Sequence, residues 1–302
     1  MKWDKGRQSN NVEDERSSTG GSGRGLRLPI GGKGGLSIGG IAIIAVVGWL
    51  MGESPMQILG QIVGQAGNSQ QQNQSASAQA PQQDSAESKQ QVAFVKSILG
   101  DTEDTWQQLF SQQGKQYHDP SLVLYSGNVN SGCGYASSAT GPFYCPSDQK
   151  VYLDLSFFEQ MKQQFSASGD FARAYVIAHE VGHHVQQELG ITQRVQELRQ
   201  QGEPMKGANG LSVRQELQAD CFAGVWANHA QQRHHWLEQG DVESALKAAS
   251  AIGDDRLEQQ AQGHVVPDSF THGTSEQRVN WFQRGFKSGA IDQCDTLDAK
   301  QL

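Results

Sequence analysis

Hydrophobic patterning divides the chain into a polar N-terminal part and a C-terminal part with regular elements. Residues 121–127 (SLVLYSG) and 150–155 (KVYLDL) are rich in β-branched and aromatic side chains, which predicts two strands. Helical spacing of apolar residues predicts helices at residues 92–110, 156–165, 170–190, 212–230, 241–262 and 275–287. Strands followed by several helices predict an α+β fold.

One segment has no polar face. Residues 34–52 (GGLSIGGIAIIAVVGWLMG) carry no charge and, as a helix, are just long enough to cross the ~30 Å core of a bilayer. The segment is therefore predicted to be a single-pass anchor in the cytoplasmic (inner) membrane. It is preceded by the basic residues Arg24, Arg27 and Lys33, so the positive-inside rule predicts that the N-terminus is in the cytoplasm and the rest is periplasmic or extracytoplasmic. A cleaved signal peptide is the alternative. The long region before the segment and the lack of an A-x-A site after it favour an uncleaved anchor.

The segments on either side of this anchor are too polar to bury a core. Residues 1–33 are rich in Gly, Ser and charge and are predicted to be a disordered cytoplasmic N-terminus. Residues 53–91 are predicted to be a Gln/Ser/Ala-rich linker, a disordered tether. The folded domain is therefore expected at residues 92–302.

Charge is spread unevenly along the chain. The net charge is −8, although residues 1–35 carry +3 (seven Lys/Arg against four Asp/Glu), which leaves −11 for the remainder. An acidic domain repels phosphates, so nucleic acid is not an expected partner.

Four cysteines lie in the predicted domain. Cys133 and Cys145 flank a Gly/Ser-rich stretch and are expected to form a disulfide, which would leave Cys221 to pair with Cys294. Disulfides are permitted if the domain lies outside the cytosol. Four cysteines allow three connectivities, and free thiols are the alternative.

The predicted helix at residues 170–190 contains AHEVGHHVQQELG. His179 and His183 are four residues apart, so their imidazoles share a helix face and can converge on one metal ion. Glu180 lies one step round the helix, where it can reach a water on the metal as a general base. His184 points about 100° away from His183 and is expected not to be a ligand.

A catalytic zinc needs a third protein ligand and an open position for water. RQELQADCFAG (214–224) offers Glu216 to complete a His₂Glu site, with one Zn²⁺ per chain. Asp220 follows one turn later and can accept a hydrogen bond from the other nitrogen of a ligand imidazole. A solvated acidic face is the alternative, but the surrounding Ala, Cys and Phe residues make this stretch look buried.

Four separated blocks agree in order with a known family. They are SGCGYASSATGPFYCPSDQKVYLDLSFF (131–158), VIAHEVGHHVQ (176–186), ELQADCFAGVWA (216–227) and SFTHGTSEQRVNWFQRGF (269–286). Together they resemble the bacterial membrane-anchored neutral zinc metallopeptidases, whose H-E-x-x-H site is gluzincin-like. The resemblance covers residues 92–302 and the N-terminal anchor.

The resemblance implies a zincin-like domain with a small mixed sheet and active-site helices, which hydrolyses a protein or peptide substrate. It implies His179, His183 and Glu216 as zinc ligands and Glu180 as the base. By analogy with thermolysin-like enzymes, an edge strand containing Phe143 and Tyr144 would pair with the substrate backbone.

A late His or Arg near the developing oxyanion is also usual in such enzymes, and His272 and Arg278 are the candidates. A surface His in a helix-capping loop is the alternative for His272.

Two other functions remain open at this point. One is a membrane-tethered zinc-binding interaction protein without catalysis; the presence of Glu180 argues against it, because a structural zinc has no use for a neighbouring base. The other is a zinc amidase acting on cell-wall peptides, which ranks lower because no wall-binding module is visible.

Overall fold

The computed structural model describes residues 1–17, 85–165, 169–300 and 302. The helices and strands in this part are, in chain order, β1 (Val12–Asp14), α1 (Ala86–Gln112), β2 (Ser121–Tyr125), β3 (Asn128–Ser131), β4 (Gly134–Ser137), β5 (Phe143–Cys145), β6 (Lys150–Asp154), α2 (Ser156–Phe165), α3 (Asp170–Glu188), α4 (Ile191–Gln200), α5 (Leu211–His234), α6 (Asp241–Ala251), α7 (Asp254–Gln262) and α8 (Ser275–Ser288). The predicted α+β class with a small mixed sheet is confirmed.

The main sheet has four strands in the order β1-β2-β6-β5. The pairs β1–β2 and β2–β6 are parallel, whereas β5 runs antiparallel to β6 and forms one edge. Side chains alternate across the sheet as the strand period requires. Leu122 and Leu124 pack with the helices, while Val123 and Tyr125 pack with the β3–β4 hairpin on the other face.

Helix α3 packs against β5 and β6, α5 packs against α3, and α8 packs against α5, where two glycines let α5 and α8 approach closely. A Cβ built on Gly285 would lie 1.9 Å from the carbonyl oxygen of Cys221, and one on Gly224 would lie 2.1 Å from that of Phe282. Only glycine fits at such a crossing, because any side chain would push the two backbones apart. These residues therefore fix where α5 lies.

The prediction that residues 1–33 are disordered is wrong for residues 1–17. These residues fold onto the domain, and β1 pairs in parallel with β2 in the register Val12↔Leu122. The signal was missed because β1 has only one apolar residue in three and no hydrophobic alternation.

Polar contacts hold the N-terminal segment against α1. Glu103 is 2 % exposed and accepts hydrogen bonds from Ser9 (2.5 Å), Asn11 (2.9 Å) and Arg7 (2.7 Å). Arg7 also donates to the carbonyl oxygen of Gly100, at 2.8 Å. A buried carboxylate is stable here because its oxygens are paired with hydrogen-bond donors.

The predicted linker ends earlier than expected. Helix α1 begins at Ala86 rather than at residue 92, because the Ser85 hydroxyl caps it by accepting from the backbone N–H of Ser88. The predicted anchor at 34–52 and most of the linker lie outside the described residues. Among the residues that are described, no helix is long and apolar enough to span a membrane.

The helix predicted over residues 241–262 is two helices. Helix α6 ends at Ala251 and α7 begins at Asp254, whose backbone N–H donates to the carbonyl oxygen of Gly273 instead of continuing the first helix. This hydrogen bond between distant residues interrupts the helix at Ile252 and Gly253. Local sequence patterns do not predict a hydrogen bond of this kind.

Both expected disulfides are present. Cys133–Cys145 joins the β3–β4 hairpin to the edge strand β5, and Cys221–Cys294 joins α5 to the C-terminal tail. The second disulfide closes the longer loop and so restricts the unfolded chain more.

Candidate functional site

Helix α3 brings the predicted ligands together with α5. Gly182 faces α5, and a Cβ built on it would lie 3.0 Å from the carbonyl oxygen of Ala219. Because the two helices approach closely, the side chains of His179 and His183 on α3 come within reach of Glu216 on α5. The glycine in the H-E-V-G-H sequence therefore serves the site by setting the distance between the helices.

His179, His183 and Glu216 form a group of possible metal donors. One donor atom from each residue lies within 4.8 Å of the other two. The Nε2 atom of His179 is 3.1 Å from one Glu216 oxygen, and the Nε2 atom of His183 is 3.5 Å from the other. The imidazole rings stand almost perpendicular, at 88°.

The donor set fits a zinc ion. Zinc prefers imidazole nitrogens and carboxylate oxygens, and donors bound tetrahedrally at about 2.0–2.2 Å lie roughly 3.4 Å from one another. The distances of 3.1 and 3.5 Å from Glu216 to the two imidazoles bracket that separation. Three protein ligands leave a fourth position open, which is the arrangement of catalytic rather than structural zinc sites.

Asp220 lies directly behind His179. Its Oδ1 atom is 2.9 Å from His179 Nδ1 and accepts from the Tyr175 hydroxyl at 2.5 Å. Arg278 donates to both of its oxygens, from Nε at 2.9 Å and from Nη2 at 3.0 Å. Because Nδ1 donates to Asp220, the Nε2 lone pair of His179 is directed towards the donor group.

The charged side chains of the metal-free site change one another's pKa. Burial lowers the pKa of His179, but the carboxylates of Asp220 and Glu216 raise it by more, and the resulting pKa is about 10. Burial raises the pKa of Glu216, and the neighbouring His183 and His179 outweigh burial and lower it. A metal ion must therefore displace a proton from His179 at neutral pH.

Glu180 is 9 % exposed and lines the same cleft as the donor group. No hydrogen bond or ion pair engages its carboxylate in the part of the chain that the structure describes. Leaving a largely buried carboxylate without a partner costs stability, so such a group is a strong candidate for function.

The cleft has a volume of about 490 Å³. The edge strand β5 forms one wall through Phe143 and Tyr144, and β6 occupies only one side of this strand. Two apolar residues, Ile252 and Leu257, line it near the start of α7. A groove with apolar walls and a strand edge that no other described strand pairs with suits an extended peptide.

His184 is buried and does not belong to the donor group. Its Nε2 donates to the carbonyl oxygen of His118 at 2.7 Å, so its Nδ1 must accept from the Tyr144 hydroxyl, 3.0 Å away. Burial lowers the pKa of His184, which keeps the ring neutral and suited to this pair of bonds. The histidine thus ties the edge strand to α3.

His272 lines the cleft and is about half exposed, at 49 % of its side chain. Its Nδ1 is 3.0 Å from Asp254 Oδ1, and its Nε2 makes no hydrogen bond among the described residues. The hydrogen bond to Asp254 raises the pKa of His272. The imidazole is therefore held at Nδ1, and in its protonated form, which the raised pKa favours, it can donate from Nε2.

Asp254 is a functional candidate that the sequence did not reveal. Its Oδ2 accepts from the backbone N–H groups of Thr271 (2.7 Å), His272 (2.6 Å) and Gly273 (3.0 Å). One carboxylate thus fixes both the loop and the imidazole of His272. The two segments are far apart in sequence, so no spacing rule could have paired them.

Arg278, the other oxyanion candidate, also lines the cleft but is 1 % exposed. Besides Asp220, its guanidinium donates to the carbonyl oxygen of Ile252 and to the Tyr175 hydroxyl, both at 3.3 Å. Most of its donors are thus occupied within the protein. The observed contacts assign it to holding Asp220, and a direct role at the oxyanion stays a prediction.

Comparison with known proteins identifies relatives over nearly the whole chain. YpfJ of Escherichia coli strain K12 is 52 % identical over 300 residues, which cover 98 % of this chain and 99 % of YpfJ. Rv2575 of Mycobacterium tuberculosis strain H37Rv is 46 % identical over 196 residues, 62 % of this chain and 65 % of Rv2575. No solved structure matches. The family model described as "Putative neutral zinc metallopeptidase" matches residues 1–297, and the chain belongs to that family.

Proposed function

We propose that the protein is a zinc-dependent peptidase that hydrolyses peptide bonds in proteins or peptides. The observation that carries this proposal is the meeting of two features in one cleft. His179, His183 and Glu216 present their donor atoms to a common point, and the Glu180 carboxylate lies in the same cleft without a hydrogen-bond partner among the described residues. A structural zinc site would need the first feature but not the second.

A bound zinc ion would polarise the scissile carbonyl and lower the pKa of the attacking water towards ~7. Glu180 accepts the proton of that water as general base and then delivers it to the leaving amine as general acid. His272 donates from Nε2 to the oxyanion that develops on the former carbonyl oxygen. Asp254 holds His272 in the orientation for this task.

The edge strand β5 supplies the proposed binding site for the substrate backbone. A peptide added antiparallel or parallel to Phe143–Cys145 would form main-chain hydrogen bonds with its free edge. The Cys133–Cys145 disulfide and the Tyr144–His184 hydrogen bond both restrain this strand. A restrained strand loses little conformational entropy when the substrate binds.

The proposed place of action is the extracytoplasmic face of the cytoplasmic membrane. Two disulfides support an oxidising environment, in which such bonds form and persist. The uncharged sequence at 34–52 supports membrane attachment.

The test compares wild type with Glu180→Gln on a complex peptide mixture. Full-length protein, with its zinc content quantified, is incubated with the mixture, and new termini are mapped by mass spectrometry. Because general acid–base catalysis contributes about 10²–10⁴-fold, we expect cleavage to fall by at least 100-fold in the variant.

Glu197→Gln, an exposed change on α4, is the matched control and should cleave like wild type. Equal cleavage by wild type and Glu180→Gln would exclude Glu180 as the base. One bound zinc per chain with no cleavage by either would favour a zinc-binding interaction protein, and activity on purified cell-wall peptides alone would favour an amidase.

A further inference from the structure

Gln186 lies one helical turn beyond His183 on α3 and is 1 % exposed. Its side-chain Oε1 is 3.0 Å from His183 Nδ1. Its Nε2 is 2.7 Å from the backbone carbonyl oxygen of Gln215 and 3.1 Å from Gln218 Oε1. The amide therefore spans the gap between the helix of the two histidines and the helix of Glu216.

The hydrogen-bond roles follow from the backbone. The Gln215 carbonyl oxygen can only accept, so the amide group that faces it must be the NH₂ of Gln186. The amide carbonyl of Gln186 then faces His183 and also can only accept. His183 must accordingly carry its proton on Nδ1, which leaves the Nε2 lone pair free on the side of Glu216.

We infer that Gln186 is a positioning residue for the metal centre, which sets the tautomer and ring orientation of His183 and ties them to the helix turn that carries Glu216. The inference rests on the metal site of the proposed function, but not on peptide cleavage. Asp220 has the corresponding position behind His179. The two imidazoles thus differ, since one is supported by a carboxylate and the other by a neutral amide.

A hydrogen-bond chain continues from Gln186 to the C-terminal tail. Gln218 accepts from Gln186 through Oε1 and donates from Nε2 to the backbone carbonyl oxygen of Cys294, at 2.9 Å. Cys294 is joined to Cys221 on α5 by a disulfide. Two backbone carbonyls thus fix the orientation of the Gln186 amide: that of Gln215 directly, and that of Cys294 through the side chain of Gln218.

The experiment measures the zinc affinity of full-length Gln186→Leu by competition with a chromophoric chelator at neutral pH. Leucine keeps the size of the side chain and removes all three of its hydrogen bonds. Loss of a group that orients a ligand typically costs about 10–100-fold in metal affinity, and we expect a rise of the zinc Kd in that range. Gln187→Leu, the same change at the next residue, should leave the Kd within about twofold of wild type, since Gln187 is not in this network.

A purely structural role for Gln186 predicts a different result. Such a variant would unfold more easily without metal, but once folded it would hold zinc with the wild-type Kd. The zinc affinity is therefore measured under conditions in which circular dichroism shows that wild type and Gln186→Leu are both fully folded. The absorption spectrum of the Co²⁺-substituted protein is a second readout, which we expect to change in intensity because the His183 ring is no longer held at one angle.

A wild-type Kd together with an unchanged Co²⁺ spectrum in folded Gln186→Leu would overturn the inference. Gln218→Leu gives an intermediate test, with a smaller rise in Kd expected because it removes only one of the two acceptors of the Gln186 NH₂. None of these measurements uses a peptide substrate. A protein that binds zinc but cleaves nothing would refute the proposed function and leave this inference standing.

Discussion

The buried ion pair between Asp220 and Arg278 allows a quantitative test of the site. Asp220 is 0 % exposed and Arg278 is 1 % exposed, so neither charge is solvated by water. Asp220→Asn keeps the shape and an acceptor oxygen for His179 but removes the charge. The guanidinium of Arg278 is then left buried without a counter-ion.

Breaking a buried pair from one side costs about 3–5 kcal/mol, because the remaining charge is uncompensated. We expect Asp220→Asn to lower the free energy of unfolding of the metal-free protein by this amount. Arg278→Met should cost less, roughly 1.5–3 kcal/mol, the usual value of hydrogen bonds to a charged group. Asp220 keeps a cationic partner in that variant, since the pKa of His179 is raised to about 10 and the imidazole is protonated at pH 7.

The double variant Asp220→Asn/Arg278→Met should lose less stability than the sum of the two single changes, because no unpaired charge remains. Denaturant unfolding at pH 7, with metal removed and disulfides intact, measures all four proteins. Asp298→Asn breaks the exposed pair with Arg194 and is the control, with an expected cost below ~1 kcal/mol. Additive losses, or a cost for Asp220→Asn as small as the control's, would refute the argument that burial makes this pair costly to break.

Two further predictions concern the N-terminal segment and the His272 loop. Gly100→Ala in α1 would ordinarily stabilise a helix by about 1 kcal/mol, but its Cβ would lie 2.7 Å from the carbonyl oxygen of Arg7. We therefore expect the variant to have a lower free energy of unfolding and faster tryptic cleavage after Arg7. Gln112→Ala, at the exposed end of the same helix, should leave that cleavage unchanged. Burial raises the pKa of Asp254, but the hydrogen bonds from His272 and the backbone lower it by more, so the net pKa is lowered. The stabilisation by this carboxylate is therefore present above its unfolded pKa of about 3.9 and is lost as the pH falls through its folded pKa. The difference in unfolding free energy between wild type and Asp254→Asn should accordingly shrink from pH 5 to pH 3, and a difference that stays constant with pH would contradict this account.

The parts of the site that the sequence predicted are those set by helix geometry. His179 and His183 are four residues apart on one helix, and Glu216 and Asp220 have the same spacing on another. Such spacings place side chains on one face whatever the rest of the fold does. The meeting of the two helices was inferred from the chemistry of zinc, which needs a third ligand.

The parts that the sequence did not predict depend on contacts between distant segments. Asp254 matters because the 271–273 loop lies over it, and Gln186 matters because the backbone of Gln215 faces it. Neither residue is unusual in its local sequence. The sequence does not predict strand β1 for a similar reason, since its backbone pairs with the distant β2 and the residues before it bond to the buried Glu103.

The position of β1 has a consequence for how the chain meets a membrane. Strands that share a hydrogen-bonded ladder are in the same compartment, so residues 1–17 lie on the same side of any bilayer as the strands and helices of the domain. Val12 and Leu122 therefore lie on the same side of a bilayer whenever this ladder is formed. The proposed place of action outside the cytosol, where disulfides persist, therefore applies to the N-terminal strand as well as to the domain.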